Sequence, residues 1–331
     1  VTDPLRRLSP VVRLAPAKLN LTLAVIGRRD DGYHTLHSVF VPLALADRLS
    51  LAPVGGDRDT LHVTGGDAGP AADNLVLKAL AVARAAVGGG WSGGPGPAPA
   101  LAARLEKRIP TAAGLAGGSS DAAATVDAAL EVWGAELDDD RRHAVAARLG
   151  SDVPFFLAGG PALVEGRGEQ VAPLHGLHGT PGVVLVTPVM AVPTPDVFAA
   201  FDAIRSHGDG AVRMSSAHLA EEMRSGLTAA ALVARAGVLA SANDLLPATS
   251  LVVPALVPFK RALSRRLGRP IGLSGSGPTL WALYDSEAEA VAAAEMVRQG
   301  LRDGSLSAPG PSGPFVCATT IVGHTEQGRE P

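Results

Sequence analysis

Residues 110–124, PTAAGLAGGSSDAAA, set three glycines and two adjacent serines directly against an alanine-rich run. A flexible linker does not need so abrupt a handover into a strong helix former, and a plain helix cap does not need the glycines before it. Gly114, Gly117 and Gly118 allow close approach where no Cβ intrudes. Ser119 and Ser120 are placed to cap the following helix, whose free N–H groups and positive dipole end would face an anion. Two readings stand at this point: a cradle for phosphate, and a tight turn entering a core helix. The Gly-x-x-x-x-Gly-Lys-Ser/Thr order of a P-loop is absent. GLAGGS has the wrong spacing for a dinucleotide fingerprint, which argues against an oxidoreductase.

The 331 residues suffice for two domains, and 47% apolar with 18% charged residues is a globular rather than a disordered balance. A net charge of −3 provides no basic field for nucleic acid, so a small anion would be held by local dipoles and one or two cations. Proline interrupts the apolar run PGVVLVTPVMAVP well short of the roughly 20 residues a membrane span needs. No secretory pattern opens the sequence, so cytoplasmic residence is expected, with no membrane partner. The single cysteine, Cys317, excludes an internal disulfide framework and reads as a buried strand thiol.

In KLNLTLAVI, Leu19, Leu21, Leu23 and Val25 fall on one strand face and Lys18, Asn20, Thr22 and Ala24 on the other. RRDDGYH supplies a turn at Gly32, after which HTLHSVFVPLAL resumes extended character. Helices are predicted over 75–87, over SSDAAATVDAALEVW with Gly134 as its stop, and over 139–149 ending at Gly150; a strand is predicted over 99–106. The second half alternates strand runs (GVVLVTP, IGLSG, TLWALY, FVCATTIV) with helical ones (EAEAVAAAEMVRQGL, PALVPFKRALSRRLG). This is an α+β pattern. The Gly/Pro stretch 173–182 is the expected domain boundary, giving units 1–175 and 176–331, whereas 88–99 reads as a surface loop or local insertion.

Pro-x-x-x-Gly-Leu-x-x-Gly-Ser-Ser before an alanine-rich helix resembles the second motif of the GHMP small-molecule kinases, named for galacto-, homoserine, mevalonate and phosphomevalonate kinases. Further segments resemble, in order, the branch that acts on 4-diphosphocytidyl-2-C-methyl-D-erythritol: PAKLNLTLAVIGRRDDGYHTLHSVF, LGSDVPFFLAGGPALVEGRGE, VTPVMAVPTPDVF, NDLLPAT and LSGSGPTLWALY. The resemblance implies a two-domain fold: an N-terminal ATP-binding domain of mixed sheet plus helices, and a C-terminal ferredoxin-like α/β sandwich. It implies ATP-dependent phosphorylation of the substrate's 2-hydroxyl, in the non-mevalonate route to isoprenoid precursors.

Residue by residue, the resemblance makes Asp152 the general base and Lys18 its neighbour. Read alone, a strand lysine such as Lys18 is more often a solvated edge residue, and Asp152 or Ser151 could equally cap the turn at Val153-Pro154. ATP phosphates would lie against Pro110, Ala113, Gly114, Leu115, Ala116, Gly117, Gly118, Ser119 and Ser120. Mg²⁺ is expected to accompany ATP without a dedicated protein site. Asn20 would line the substrate site, Tyr33 and Phe198 would stack on the two faces of cytosine, and His34 would bond to the base. Gly275, Ser276 and Gly277 would present donors near the anion, although SGSG alone also reads as a tight bend between strands. The partner is thus a small molecule carrying cytidine diphosphate; monomer and homodimer both stay open. Another GHMP kinase, or a nucleotide-binding module without catalysis, are the competing readings, and Tyr33, His34 and Phe198 argue against the first. Ala112, Ala113 and Ala116 stand where family members often carry glycine, which predicts a stiffer loop, and residues 1–10 precede the usual start. The remaining histidines (37, 62, 143, 175, 178, 207, 218, 324) show no metal-ligand spacing.

Overall fold

The structure, a computed structural model, describes residues 9–66, 69–70, 73–92, 96–204 and 210–323. Residues 1–8 of the N-terminal extension, 93–95 of the Gly/Pro stretch, His207 and His324 lie outside the described residues. The first half runs β1 (Val11–Asn20), β2 (Ala24–Arg28), β3 (His34–Pro53), β4 (Thr60–Thr64), α1 (Leu75–Val87), β5 (Leu101–Glu106), α2 (Gly117–Trp133), α3 (Asp139–Leu149), α4 (Val153–Ala158), β6 (Ala162–Gly166) and β7 (Gln170–Pro173). The second half runs β8 (Leu177–His178), β9 (Gly182–Thr187), α5 (Thr194–Ile204), α6 (Ala211–Ser225), β10 (Leu227–Thr228), α7 (Ala229–Ala234), α8 (Ala236–Leu239) and α9 (Leu246–Val252). It closes with α10 (Leu256–Leu267), β11 (Gly272–Leu273), β12 (Leu280–Tyr284), α11 (Glu287–Arg302) and β13 (Phe315–Thr320).

The 20-residue β3 is the spine of a seven-stranded mixed sheet. It pairs antiparallel with β1, β2, β5 and β6, while β4 joins β5 in parallel. The β1 register slips between Pro16, which has no N–H to donate, and Lys18. Such a bulge re-aims the side chains beyond it. The expected single strand over 18–26 is instead split, with β1 ending at Asn20 and β2 starting at Ala24. Its polar face is not solvated either: Lys18, Asn20 and Thr22 are all buried. The Thr22 hydroxyl donates to Ser216 Oγ of α6 at 2.8 Å, and His37 Nδ1 lies 2.9 Å from the same oxygen. A polar strand face covered by a polar helix position leaves no alternation signal that separates it from a wet one.

β9, β11, β12 and β13 form a second, antiparallel sheet in the order β11-β12-β9-β13. With helices between its first and second and its third and fourth strands, this is the split βαβ, ferredoxin-like arrangement. α1 and α2 pack on the large sheet through Leu80, Val126, Leu130 and Trp133, and α3 joins the same cluster through Val145 and Leu149 by packing on α1 and α4. A second cluster joins Leu19, Val39 and Leu115 to Leu185, Leu219 and Trp281, so one core runs through both sheets. Cys317 lies on β13 as expected but is only half-buried. Among the described residues no helix is long and apolar enough to cross a membrane.

Candidate active site

A cleft of about 1020 Å³ opens between the two sheets. Its walls come from β1, the β2–β3 turn, the glycine stretch with the start of α2, the α3–α4 junction, α5 and the β11–β12 turn. Of the residues singled out in the sequence, Lys18, Asn20, Tyr33, His34, Pro110, Ala113, Gly114, Ala116, Gly117, Gly118, Ser119, Asp152, Phe198, Gly275 and Ser276 line it. Three do not. Leu115 is fully buried in the core, and only its carbonyl takes part, accepting from Lys18 N at 3.0 Å. Ser120 turns to a smaller cavity of about 390 Å³ on the other side of α2. Gly277 is backed by Leu273 and Thr249.

The serines do not cap α2. The helix starts two residues earlier than Ser119, at Gly117, behind Ala116, which takes the N-cap in the left-handed region at φ 55° and can offer no side-chain acceptor. Among the described residues no side chain caps the first turn of α2, and its first N–H groups face the cleft. Ala112, at φ 54°, is a second alanine held in this unfavourable region. Gly114 also differs from the sequence expectation. A Cβ there would stand 2.4 Å from Ser274 O and 3.0 Å from Gly277 O, so the close approach is to the β11–β12 turn rather than to a ligand. Ser274 Oγ donates to Gly114 O at 2.9 Å, and Asn243 Nδ2 holds the same turn through Leu273 O at 3.0 Å and Gly275 O at 2.9 Å. Gly118, by contrast, would place a Cβ in ordinary contact with Leu75 at 3.7 Å. Gly114→Ala is accordingly expected to lower unfolding stability by about 1–3 kcal/mol, and Gly118→Ala to leave it nearly unchanged; denaturant midpoints of the two variants check this.

Lys18, beyond the β1 bulge, is 5% exposed, yet its ammonium reaches the cleft. Nζ donates to Asn20 Oδ1 at 2.7 Å, lies 4.4 Å from the Phe40 ring centroid and 3.6 Å from Asp152 Oδ2. Burial lowers the Lys18 pKa from its ordinary range, against the opposing attraction of Asp152. Asn20 is itself fixed by donating to Ser38 Oγ at 3.1 Å. Asp152 occupies the N-cap position of α4 but in a helical conformation, φ −88° and ψ −8°, with no side-chain cap bond. Its carboxylate is thus left to face Lys18 and the cleft. A carboxylate and an ammonium held together at a cleft wall can take a proton from an alcohol and steady the alkoxide that develops.

At the other end, Gly32 turns the chain at φ 84° and Tyr33 stands 53% exposed at the rim. His34 lies flat on Phe198, with ring centroids 4.7 Å apart and planes 20° apart, and its Nε2 is 2.8 Å from Asp202 Oδ1. Arg167 stacks over Tyr33 at 5.5 Å, and Thr194 Oγ1 lies 2.9 Å from Ser276 Oγ. Sequence reasoning missed Arg167 and Thr194, although both lie inside the quoted segments LGSDVPFFLAGGPALVEGRGE and VTPVMAVPTPDVF, and Asp202, which lies outside them.

It also missed a buried charge cluster beneath the glycine loop. Lys107 Nζ donates to Asp47 Oδ2 and, at 2.7 Å, to Asp121 Oδ2. Asp47 Oδ1 accepts from Arg108 N at 2.5 Å and Ile109 N at 2.9 Å, which ties the loop entrance to β3. Burial would lower the Lys107 ammonium pKa, but the two carboxylates outweigh it and hold it raised. Burial pushes Asp121 up to about 7, with Asp47 adding to the shift and Lys107 opposing it. The one available signal was an aspartate inside an alanine-rich helix.

The family of GHMP kinases matches in two parts: its N terminal domain over residues 74–160 and its C terminal region over residues 224–303. A 4-diphosphocytidyl-2-C-methyl-D-erythritol kinase of Nocardia farcinica is 40% identical over 308 residues, 92% of this chain and 94% of that protein. One from Pelotomaculum thermopropionicum is 38% identical over 275 residues, 82% and 88% of the respective chains. Among solved structures, a 4-(cytidine 5'-diphospho)-2C-methyl-D-erythritol kinase superposes with a TM-score of 0.67 at 32% identity, covering 95% of this chain and all of the other.

Proposed function

The chain belongs to the 4-diphosphocytidyl-2-C-methyl-D-erythritol kinase family of the GHMP kinases, and from that membership we propose that its cleft transfers the γ-phosphoryl group of ATP to the substrate's 2-hydroxyl. This is the phosphorylation step of the non-mevalonate isoprenoid precursor route. The observation that carries the reading is the Lys18–Asp152 pair, 3.6 Å apart, on the wall that also presents the glycine loop and the Tyr33, His34 and Phe198 rings.

The triphosphate would lie along residues 110–119, against the uncapped first turn of α2. Asp152 would accept the hydroxyl proton as the oxygen attacks phosphorus. Lys18, fixed by Asn20, would hold the carboxylate and the nascent alkoxide in place. Phosphoryl transfer depends mainly on positioning and charge stabilisation, which this site can supply without covalent chemistry of its own. Among the described residues no group of three His, Cys, Asp or Glu could hold an ion by itself, and Mg²⁺ beside a nucleotide needs at most one or two carboxylates in addition to the phosphates. Mg²⁺ would then arrive on the nucleotide's own oxygens. We place the division between the two units at 175/176, between the end of the large sheet at Pro173 and the start of the second at Gly182, and the enzyme in the cytoplasm, where its ATP is.

Cytosine would be held by the Tyr33 and Phe198 rings with His34 as its hydrogen-bond partner, which requires the His34 ring to move off the Phe198 face that it covers in this structure, where its Nε2 is held by Asp202. Stacking of this kind contributes about 1–3 kcal/mol per base. Phe198→Ala should therefore raise KM for the cytidyl substrate by about 10- to 100-fold and leave KM for ATP within a factor of about two, as read by steady-state kinetics with each substrate varied. The functional test is ATP consumption by the purified protein with the cytidyl substrate, mevalonate and homoserine in parallel. Turnover confined to the cytidyl substrate supports the reading; turnover of either small alcohol instead overturns it.

A further inference from the structure

The Asp47–Lys107–Asp121 cluster contains more carboxylate than its fold requires. Lys107 and Asp47 already satisfy one another and bind the loop entrance. Asp121 adds a second carboxylate to the same ammonium, leaving one negative charge uncompensated when all three groups are ionised. It is 3% exposed, it lines the cleft, and its Oδ1 is buried with no hydrogen-bond partner among the described residues. An orphaned buried carboxylate oxygen is costly, and a proton on it removes both the charge and much of that cost.

The location makes this matter for anion binding. Asp121 lies four residues beyond Gly117 on α2, so the two Cβ positions are about 5–6 Å apart. A Cβ on Gly117 would stand 3.2 Å from Lys107 Nζ, which puts the ammonium directly under the helix's first residue. The charged groups facing this turn are Lys107 from the end of β5 and Asp47 from β3. α4 brings Asp152, paired with Lys18; the chain before α1 brings Asp73 to the same cleft, and α1 itself brings apolar Leu75.

We propose that Asp121 is a positioning residue for the nucleotide: it carries a proton while the triphosphate is bound, and its ionisation weakens the phosphate site by leaving a negative charge beneath the first turn of α2. The proton comes from solvent on binding and returns there on release. The inference rests on the reading of residues 110–119 as the ATP phosphate site. The Asp121 pKa, raised to about 7 by burial, puts the change near neutral pH. The sign follows from linkage: a nucleotide that binds only the protonated form binds best below that value and progressively worse above it.

The test is calorimetric binding of a non-hydrolysable ATP analogue to the intact protein between pH 6 and 8.5, in buffers of differing ionisation heat, with the analogue's own protonation subtracted. The wild type is expected to lose affinity by about 10-fold between pH 6 and 8 and to take up about half a proton at pH 7. Asp121→Asn is expected to bind at every pH about as well as the wild type does at pH 6, with no linked proton. A flat wild-type profile with no proton uptake overturns the inference, whether or not the variant folds. So does an Asp121→Asn protein that keeps the wild-type slope. Absence of analogue binding at any pH overturns the nucleotide-site reading itself, whereas binding without a slope overturns only the role of Asp121.

Discussion

Asp152→Asn is expected to lower kcat by about 10³–10⁴-fold while the dissociation constants for the ATP analogue and the cytidyl substrate stay within about threefold of wild type. The size follows from the task, since an amide cannot take the hydroxyl proton. The selectivity follows from the geometry. Asp152 makes no side-chain cap bond to α4, so removing its charge withdraws nothing that holds the helix. What it withdraws is the counter-charge 3.6 Å from Lys18. Burial already lowers the Lys18 pKa, and Asp152 is the group that opposes this. The variant should therefore shed the Lys18 proton at lower pH than the wild type does. Single-turnover rates and equilibrium binding, measured on the same preparation, separate the two effects. A variant with near-normal kcat would mean that the base lies elsewhere.

Lys18→Met is expected to lower kcat by about 10²–10³-fold, the range seen on removing one electrostatic stabiliser from an active site, without an equivalent loss of stability. Replacing a buried charge by an apolar side chain of similar length is often neutral or stabilising, and the methionine would pack on Phe40, which the lysine now overlies. The cost is local: Asn20 Oδ1 loses its donor and Asp152 its cation. Thermal unfolding reads the stability and steady-state kinetics the activity. Loss of both in parallel would make Lys18 a structural residue. In the wild type, burial lowers the Lys18 pKa, so activity that needs the ammonium should fall at a pH below the ordinary lysine value of about 10.5.

Local elements were legible in the sequence because their signals are local. α2 stops at Gly134 in the left-handed region, and α3 spans 139–149 behind the Asp138 cap. α1 covers 75–87 as predicted. The order of the motifs also pointed to the Lys18–Asp152 pair, which local chemistry alone left undecided. What was not legible depends on neighbours far along the chain. Gly114 reads as a ligand approach until Ser274, brought in by the second sheet, is seen against it. The serines read as caps because nothing in the sequence says that Ala116 takes the left-handed N-cap. The polar face of β1 reads as wet until Ser216 of α6 covers Thr22. Asp47 and Lys107, 60 positions apart, show no relation until β3 and β5 pair.

A crystal structure of the protein with the non-hydrolysable ATP analogue and the cytidyl substrate bound together tests the central claim most directly. The account predicts the 2-hydroxyl oxygen within about 2.6–3.2 Å of an Asp152 carboxylate oxygen, with the γ-phosphate in line beyond it and its neighbours resting on the N–H groups of Gly117 and Gly118. A hydroxyl turned away from Asp152 with no bridging water, or phosphates lying off the start of α2, would contradict it.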